Sequence, residues 1–304
     1  MKVWIPHEIG PSLIGELPPG TTLEVFTGDG QGVPSDPETV EFWSPPFLST
    51  GDTSGLLERM PRLRVVQLLS AGADAWVGLV PADVTLCDAR GVHDSSTSEW
   101  VVGATLAYLR NLPAFVRAQE RHEWAYGPTD ELAGKRVLIV GAGSIGAAIT
   151  RRLEPFEVSL TLVARSARPG VHGVEELPRL LPHADVVILV VPLTPATTGL
   201  VDAAFLAAMP EGALLVNAAR GPVVNTEALT AELATGRISA AADVTDPEPL
   251  PAGHPLWDMP NFLLTPHVGG SVRGLLPRAY RLVGEQLRRM AAGQELENVV
   301  TNGY

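Results

Sequence analysis

From Gly134 onward the chain alternates short apolar runs with helical patterns, and this constrains its fold more than any other feature. The runs are RVLIV (136–140), VSLTLV (158–163), ADVVILVV (184–191), ALLVN (213–217), ISAAADV (238–244) and NFLLT (261–265). Strands separated by helices need crossover connections, so they predict a parallel sheet with helices on its faces. The stretch from Val186 to Val191 shows no polar alternation, as expected of a central strand covered on both sides.

The first half reads as compact but irregular. Extended candidates at 3–6, 23–26, 40–43, 65–69 and 84–87 are separated by Pro/Gly-rich turns such as LPPGTT and GDGQGVPSDP. From Ser95 a Ser/Thr cluster with Glu99 opens a long helical pattern, with 95–97 as possible caps and a kink or restart at Pro113. A last helical pattern runs from about 272 to 290 and can return to the N-terminal half. A length of 304 residues suggests two domains. A returning last helix would divide the chain into 1–94 plus 275–304 and 95–274.

Composition narrows the function classes. A net charge of −12 with no basic run argues against a nucleic-acid partner, whose phosphates need clustered Lys and Arg. The single cysteine, Cys87, sits in an apolar stretch and reads as a small buried hydrophobe. The N-terminus MKVWIPHEIG has no signal-like apolar region, and no apolar run approaches the ~18 residues that span a bilayer. The cytoplasm is the default compartment, with no membrane partner. None of the 7 histidines forms an HxxxH or HExxH pair, so no metal is expected.

GAGSIG follows RVLIV directly and leads into a helical pattern, which fits GxGxxG. Gly141 would allow a tight turn, Gly143 would let the backbone approach a pyrophosphate, and Gly146 would let helix and strand pack closely. Ser144 and Ile145 complete this candidate cofactor loop. The residue that reads the adenosine ribose is expected roughly 20 positions on. An NAD site usually has Asp or Glu there, whereas this chain has VARSAR. Arg165, Ser166 and Arg168 suit a 2′-phosphate, so NADP(H) is the expected cofactor, with NAD(H) possible.

Three polar residues lie near the ends of later strand candidates: Arg220 in NAARGPVV, Glu248 in DVTDPEPLP and His267 in LLTPHVGG. Ligands of open parallel sheets bind outside the carboxyl ends of the strands, so these loops could converge. Each residue alone also reads as an ordinary surface or turn residue. Trp43, Phe47, Leu69 and Trp76 are candidate pocket walls that read more readily as core.

In their order and spacing, GAGSIG, MPEGALLVNAARGPVV, DVTDPEPLP, HPLW and TPHVGG resemble the NAD(P)-dependent D-2-hydroxyacid dehydrogenase family. The likeness runs from 132 to 270 and extends more weakly to LLSAGADAW and TSEWVVGATLAYLR. VARSAR brings it nearest to NADPH-linked glyoxylate/hydroxypyruvate reductases. The resemblance implies an α/β fold of two domains, a Rossmann-type doubly wound parallel sheet and a smaller flavodoxin-like substrate domain. It implies that Arg220 holds the carboxylate and carbonyl of a 2-oxo acid, that His267 is the acid/base and that Glu248 is its paired carboxylate. Ser70, Ala71 and Gly72 would offer backbone N–H groups to the substrate carboxylate. Val191, Pro192, Ala218 and Asp243 would lie along the cofactor, Asp243 near the nicotinamide. A homodimer built through the cofactor domain is also implied.

The chain departs from the family pattern at two places. Asn225 stands where Asp is frequent, and as a helix N-cap it should serve equally well. EPFEVSL replaces a segment that often carries Gly before the second strand, which leaves the strand's start open. Two other readings remain. AGSIG also resembles a nucleophile elbow, with Ser144, Asp243 and His267 in hydrolase order, though no HGGG-like segment precedes it. A non-catalytic dinucleotide-binding regulator is the second.

Overall fold

The protein is described by a computed structural model over residues 1–30, 32–47 and 53–301, and Gln31 of the GDGQGVPSDP turn lies outside them. The chain falls into two compact units, Met1–His93 with Arg273–Tyr304, and Asp94–Val272.

The first unit opens with β1 (Lys2–Ile5), α1 (Gly10–Ile14), β2 (Thr22–Val25), β3 (Phe42–Trp43), α2 (Thr53–Glu58), β4 (Val65–Gln67) and β5 (Thr85–Cys87). All five extended candidates contribute a strand. Their order, β2-β1-β3-β4-β5 with every pair parallel, is flavodoxin-like. Side-chain alternation splits its core in two: Val3, Ile5, Phe42 and Val65 pack in one cluster and Trp4, Trp43 and Val66 in the other.

The second unit carries α3 (Asp94–Leu109), α4 (Leu112–Glu120), β6 (Arg136–Val140), α5 (Ser144–Leu153), β7 (Ser159–Ala164), β8 (His172–Gly173) and α6 (Leu177–Leu180). It continues with β9 (Val186–Leu189), α7 (Ala203–Ala208), β10 (Leu214–Asn217), α8 (Thr226–Ala234), β11 (Ser239–Ala242) and β12 (Phe262–Leu264). The parallel sheet has the order β12-β11-β10-β9-β6-β7-β8. β9 is its middle strand and all four of its residues are buried, as the unbroken apolar run required. The two-residue β8 was not anticipated, because it is too short for any periodicity to show. Finally α9 (Leu275–Ala291) returns to the first unit, burying Ala279, Tyr280, Val283 and Leu287 in the cluster that holds Val3 and Ile5.

Local chemistry explains several boundaries. α3 starts at Asp94, so Ser95–Thr97 lie inside its first turn and do not cap it; the Ser95 hydroxyl instead donates to Glu99 Oε1 at 3.2 Å. The chain restarts near Pro113: Asn111 takes a left-handed φ of 53°, and proline occupies the first turn of α4. Asn225 caps α8, accepting from the Ala228 N–H at 2.8 Å. In EPFEVSL, Glu157 adopts the left-handed φ of 59° that a glycine there would take freely, and β7 begins two residues later at Ser159.

Candidate active site

Chain reversal in the second unit's sheet occurs between β6 and β9, and the Gly-rich turn sits at their carboxyl ends. A side chain on Gly141, at φ 122°, would meet the Val190 carbonyl at 2.5 Å, and one on Gly146 would meet the Gly141 carbonyl at 2.0 Å. A side chain on Gly143 would meet nothing within 4 Å. The first two glycines thus bring turn, strand and helix together, while the third keeps open the space through which a ligand can reach the backbone. Gly143 precedes α5 as its N-cap without a side-chain cap bond, so the first-turn amides of Ser144, Ile145 and Gly146 have no capping side chain and could receive an anion. Arg165, Ser166 and Arg168 follow β7 and are exposed. The Arg168 guanidinium donates to the Ala142 carbonyl at 2.9 Å, which sets a cation beside the turn. Val191 and Pro192 follow β9, and the Ala218 N–H donates to the Leu189 carbonyl at 3.1 Å. These residues fit a dinucleotide: open backbone, an uncapped helix start and cations in place of a ribose-reading carboxylate.

Arg220, Glu248 and His267 emerge from the carboxyl ends of β10, β11 and β12. A side chain on Gly221 would strike the Thr245 carbonyl at 1.9 Å, so the Arg220 loop and the DVTDPEPLP loop lie back to back. The Thr226 hydroxyl reinforces this contact, donating to the Asp246 carbonyl at 2.7 Å. His267 Nδ1 lies 2.7 Å from Glu248 Oε1, and both side chains are about two-fifths exposed, at 40% and 42%. An ionised carboxylate only accepts, so Nδ1 carries the proton and Nε2 is left to exchange one with a ligand. Asp243 is buried at 5% exposure, and its carboxylate accepts from the Thr265 hydroxyl, the Val268 N–H and the Gly269 N–H at 2.6, 2.8 and 2.7 Å.

In the first unit, Ser70, Ala71 and Gly72 form a turn at the carboxyl end of β4. The Ser70 hydroxyl closes it onto the Gly72 carbonyl at 2.7 Å, and the Ser70 carbonyl accepts from the Ala89 N–H at 2.8 Å. Of the candidate walls, Trp43 and Leu69 are core at 2% and 6% exposure, and Trp76 meets Trp43 edge-on at 5.7 Å. Phe47 departs from the core reading at 56% exposure, since the Pro45-Pro46 pair carries the chain out of the sheet before it.

No hydrolase triad is assembled. The Ser144 hydroxyl donates to Asp94 Oδ1 at 2.9 Å, and the His267 ring is paired with Glu248 rather than Asp243. Among the described residues no group of three or more His, Cys, Asp or Glu is placed to hold a metal, and no helix is long and apolar enough to cross a membrane. Sequence reasoning missed Asn217, whose buried amide braces the Arg220 turn, and Asp94. The polar end of the run ALLVN was a signal for the first; Asp94 had no local signal.

Comparison with known proteins agrees with this geometry. The model for the D-isomer-specific 2-hydroxyacid dehydrogenase NAD-binding domain matches residues 102–269. The human glyoxylate reductase/hydroxypyruvate reductase is 34% identical over 227 residues, spanning 69% of this chain and 68% of that protein. A D-isomer-specific 2-hydroxyacid dehydrogenase from Xanthobacter autotrophicus, solved with NADPH and MES, superposes with a TM-score of 0.85 at 33% identity over 99% of this chain and 97% of the other. The NADPH-dependent glyoxylate/hydroxypyruvate reductase of Sinorhizobium meliloti, solved with NADP and sulfate, gives 0.85 at 29% identity over 98% of each. The chain belongs to the D-isomer-specific 2-hydroxyacid dehydrogenase family, as an NAD(P)(H)-dependent oxidoreductase acting on the CH–OH group of a 2-hydroxy acid.

Proposed function

We propose that the protein reduces a small 2-oxo acid of the glyoxylate or hydroxypyruvate kind to its D-2-hydroxy acid, with NADPH preferred over NADH. The observation that carries this reading is the 2.7 Å pairing of His267 with Glu248, one loop away from Arg220. Arg220 binds the substrate carboxylate and polarises the carbonyl, its fixed planar charge lying where negative charge grows. His267 gives its Nε2 proton to the carbonyl oxygen, and Glu248 orients the ring. When bound, the nicotinamide supplies the hydride. Ser70, Ala71 and Gly72 offer backbone N–H groups to the carboxylate. In this reading 95–274 is the dinucleotide-binding domain and 1–94 plus 275–304 the substrate-binding domain. Asp243 lies near the nicotinamide and also holds the His267 loop.

Gly141, Gly143, Ser144, Ile145 and Gly146 form the pyrophosphate cradle, with Val191, Pro192 and Ala218 along the cofactor. Arg165, Ser166 and Arg168 support the preference for NADPH, because a 2′-phosphate gains charge-assisted bonds from guanidinium groups. The NADPH- and NADP-bound structural relatives support the same preference, and the relatives named for glyoxylate and hydroxypyruvate support the substrate class. Turnover needs a supply of reduced cofactor, which fits a cytoplasmic enzyme. A homodimer completes the reading, supported by the exposure of Trp124 and Tyr126 at 95% and 92%.

The test is oxidation of NADPH and NADH against glyoxylate, hydroxypyruvate, pyruvate and phenylpyruvate, with the double variant R165A/R168A alongside. The expected result is faster turnover of glyoxylate and hydroxypyruvate with NADPH, and loss of that cofactor preference in the variant. An unchanged preference would remove the arginines from 2′-phosphate recognition, and turnover confined to phenylpyruvate would overturn the substrate class.

A further inference from the structure

Two buried polar side chains stand at the carboxyl ends of adjacent strands whose other residues there are apolar. Asn217, 4% exposed, ends β10 after Leu214, Leu215 and Val216; Asp243, 5% exposed, follows Ala240, Ala241 and Ala242 of β11. Burying an amide or a carboxylate is unfavourable unless every bond it needs is made. The partners of both lie in the loops that carry Arg220 and His267.

Asn217 spans the turn before Arg220. Its Oδ1 accepts from the Ala219 N–H at 3.0 Å, and its Nδ2 donates to the Arg220 carbonyl at 3.2 Å. Asp243 does the same for TPHVGG, bonding on both sides of His267 to Thr265, Val268 and Gly269, while its own carbonyl accepts the His267 N–H at 2.8 Å. His267 is thereby held at a left-handed φ of 53°. The Asp243 N–H donates to the Asn217 carbonyl at 3.0 Å, joining the two braces through one sheet bond.

We infer that Asn217 and Asp243 are positioning residues that together set the separation of Arg220 from His267. Arg220 and His267 must meet the same 2-oxo acid, one at its carboxylate and carbonyl and the other at the carbonyl oxygen. A fixed spacing between their loops therefore selects substrates in which these groups are adjacent. Small displacements of a reacting group lower the rate steeply. The inference rests on the reductase reading above.

The experiment compares N217A and D243N with the wild type, using glyoxylate and NADPH, and repeats each change in a background that already lacks the partner function. N217A is expected to raise KM and lower kcat/KM by roughly tenfold to a hundredfold, and D243N to lower kcat by a similar factor. Cofactor affinity, read by NADPH fluorescence, should be retained in N217A. N217A should add little to R220K, and D243N little to H267N, because the positioned group is already gone; a general loss of fold would add in full. T265V, which removes the hydroxyl donor to Asp243, stands in if D243N does not fold, and N217S stands in for N217A. Unchanged kcat/KM in the single variants, or undiminished losses in the R220K and H267N backgrounds, would overturn the inference. A wild type that oxidises no reduced cofactor with glyoxylate would instead overturn the reductase reading on which it rests.

Discussion

His267 combines two properties that an ordinary surface histidine lacks. It takes a backbone conformation that costs a non-glycine residue about 1–3 kcal/mol, and it shares a short hydrogen bond with a carboxylate from another loop. Both follow from a surrounding network that overdetermines the loop. Replacing His267 with alanine removes the proton donor and leaves the backbone bonds to Asp243 in place. H267A should therefore lower kcat by roughly 10²–10⁴ while the NADPH dissociation constant is unchanged, measured by steady-state kinetics and fluorescence titration. Retained turnover would take His267 out of the chemistry. At this scale Arg220, Glu248 and His267 were legible, because their residue types and motif context carry chemistry. Asn217 was not: its role is to brace a turn, and that role has no signature beyond a polar residue at the end of an apolar run.

At the scale of elements, α9 is held against β1 by the pairing of His7 Nδ1 with the Tyr280 hydroxyl at 2.8 Å and by the aliphatic cluster beneath. Burial pulls the His7 imidazole below its ordinary value of about 6.5 and pushes the Tyr280 hydroxyl up. For His7 the sign is plain: as pH falls from about 6.5 toward the lowered native value, the unfolded chain takes a proton that the native chain refuses. Native stability is therefore lost on acidification across that window. H7Q, which cannot titrate, should lose less Tm than the wild type when pH is lowered from above about 6.5 to a unit below it, measured by thermal unfolding in matched buffers. Equal losses would assign the acid sensitivity to other groups. The strands and long helices were legible from periodicity, whereas the return of α9 was left open by the sequence, and α3 starts at Asp94, ahead of the Ser/Thr cluster that resembles a cap.

For the whole molecule, the unresolved demand is the exposed apolar surface of the second unit. Trp124 and Tyr126 are almost wholly exposed, and Leu112 and Val116 of α4 are exposed by 49% and 55%. An aromatic side chain buries about 150–250 Å² when covered, so the two rings alone supply a large part of the roughly 800 Å² that each partner contributes to a standard interface. On the proposed homodimer reading, the double variant W124A/Y126A should shift the protein from dimer toward monomer in light scattering coupled to gel filtration. A monomeric wild type, or an unchanged mass in the variant, would remove this surface from the assembly.

What the sequence by itself determined is the material of the fold and of its chemistry. Apolar runs of strand length separated by helices admit a parallel sheet, and glycines at fixed offsets admit a close turn. Both are local properties, set by side-chain period and backbone sterics over a few residues. Tertiary structure alone decided which loops meet: Gly221 against Thr245, Glu248 against His267, and the Ser144 hydroxyl against Asp94 rather than a histidine. Contacts between residues 19 to 50 positions apart depend on strand order and register, which no local pattern encodes.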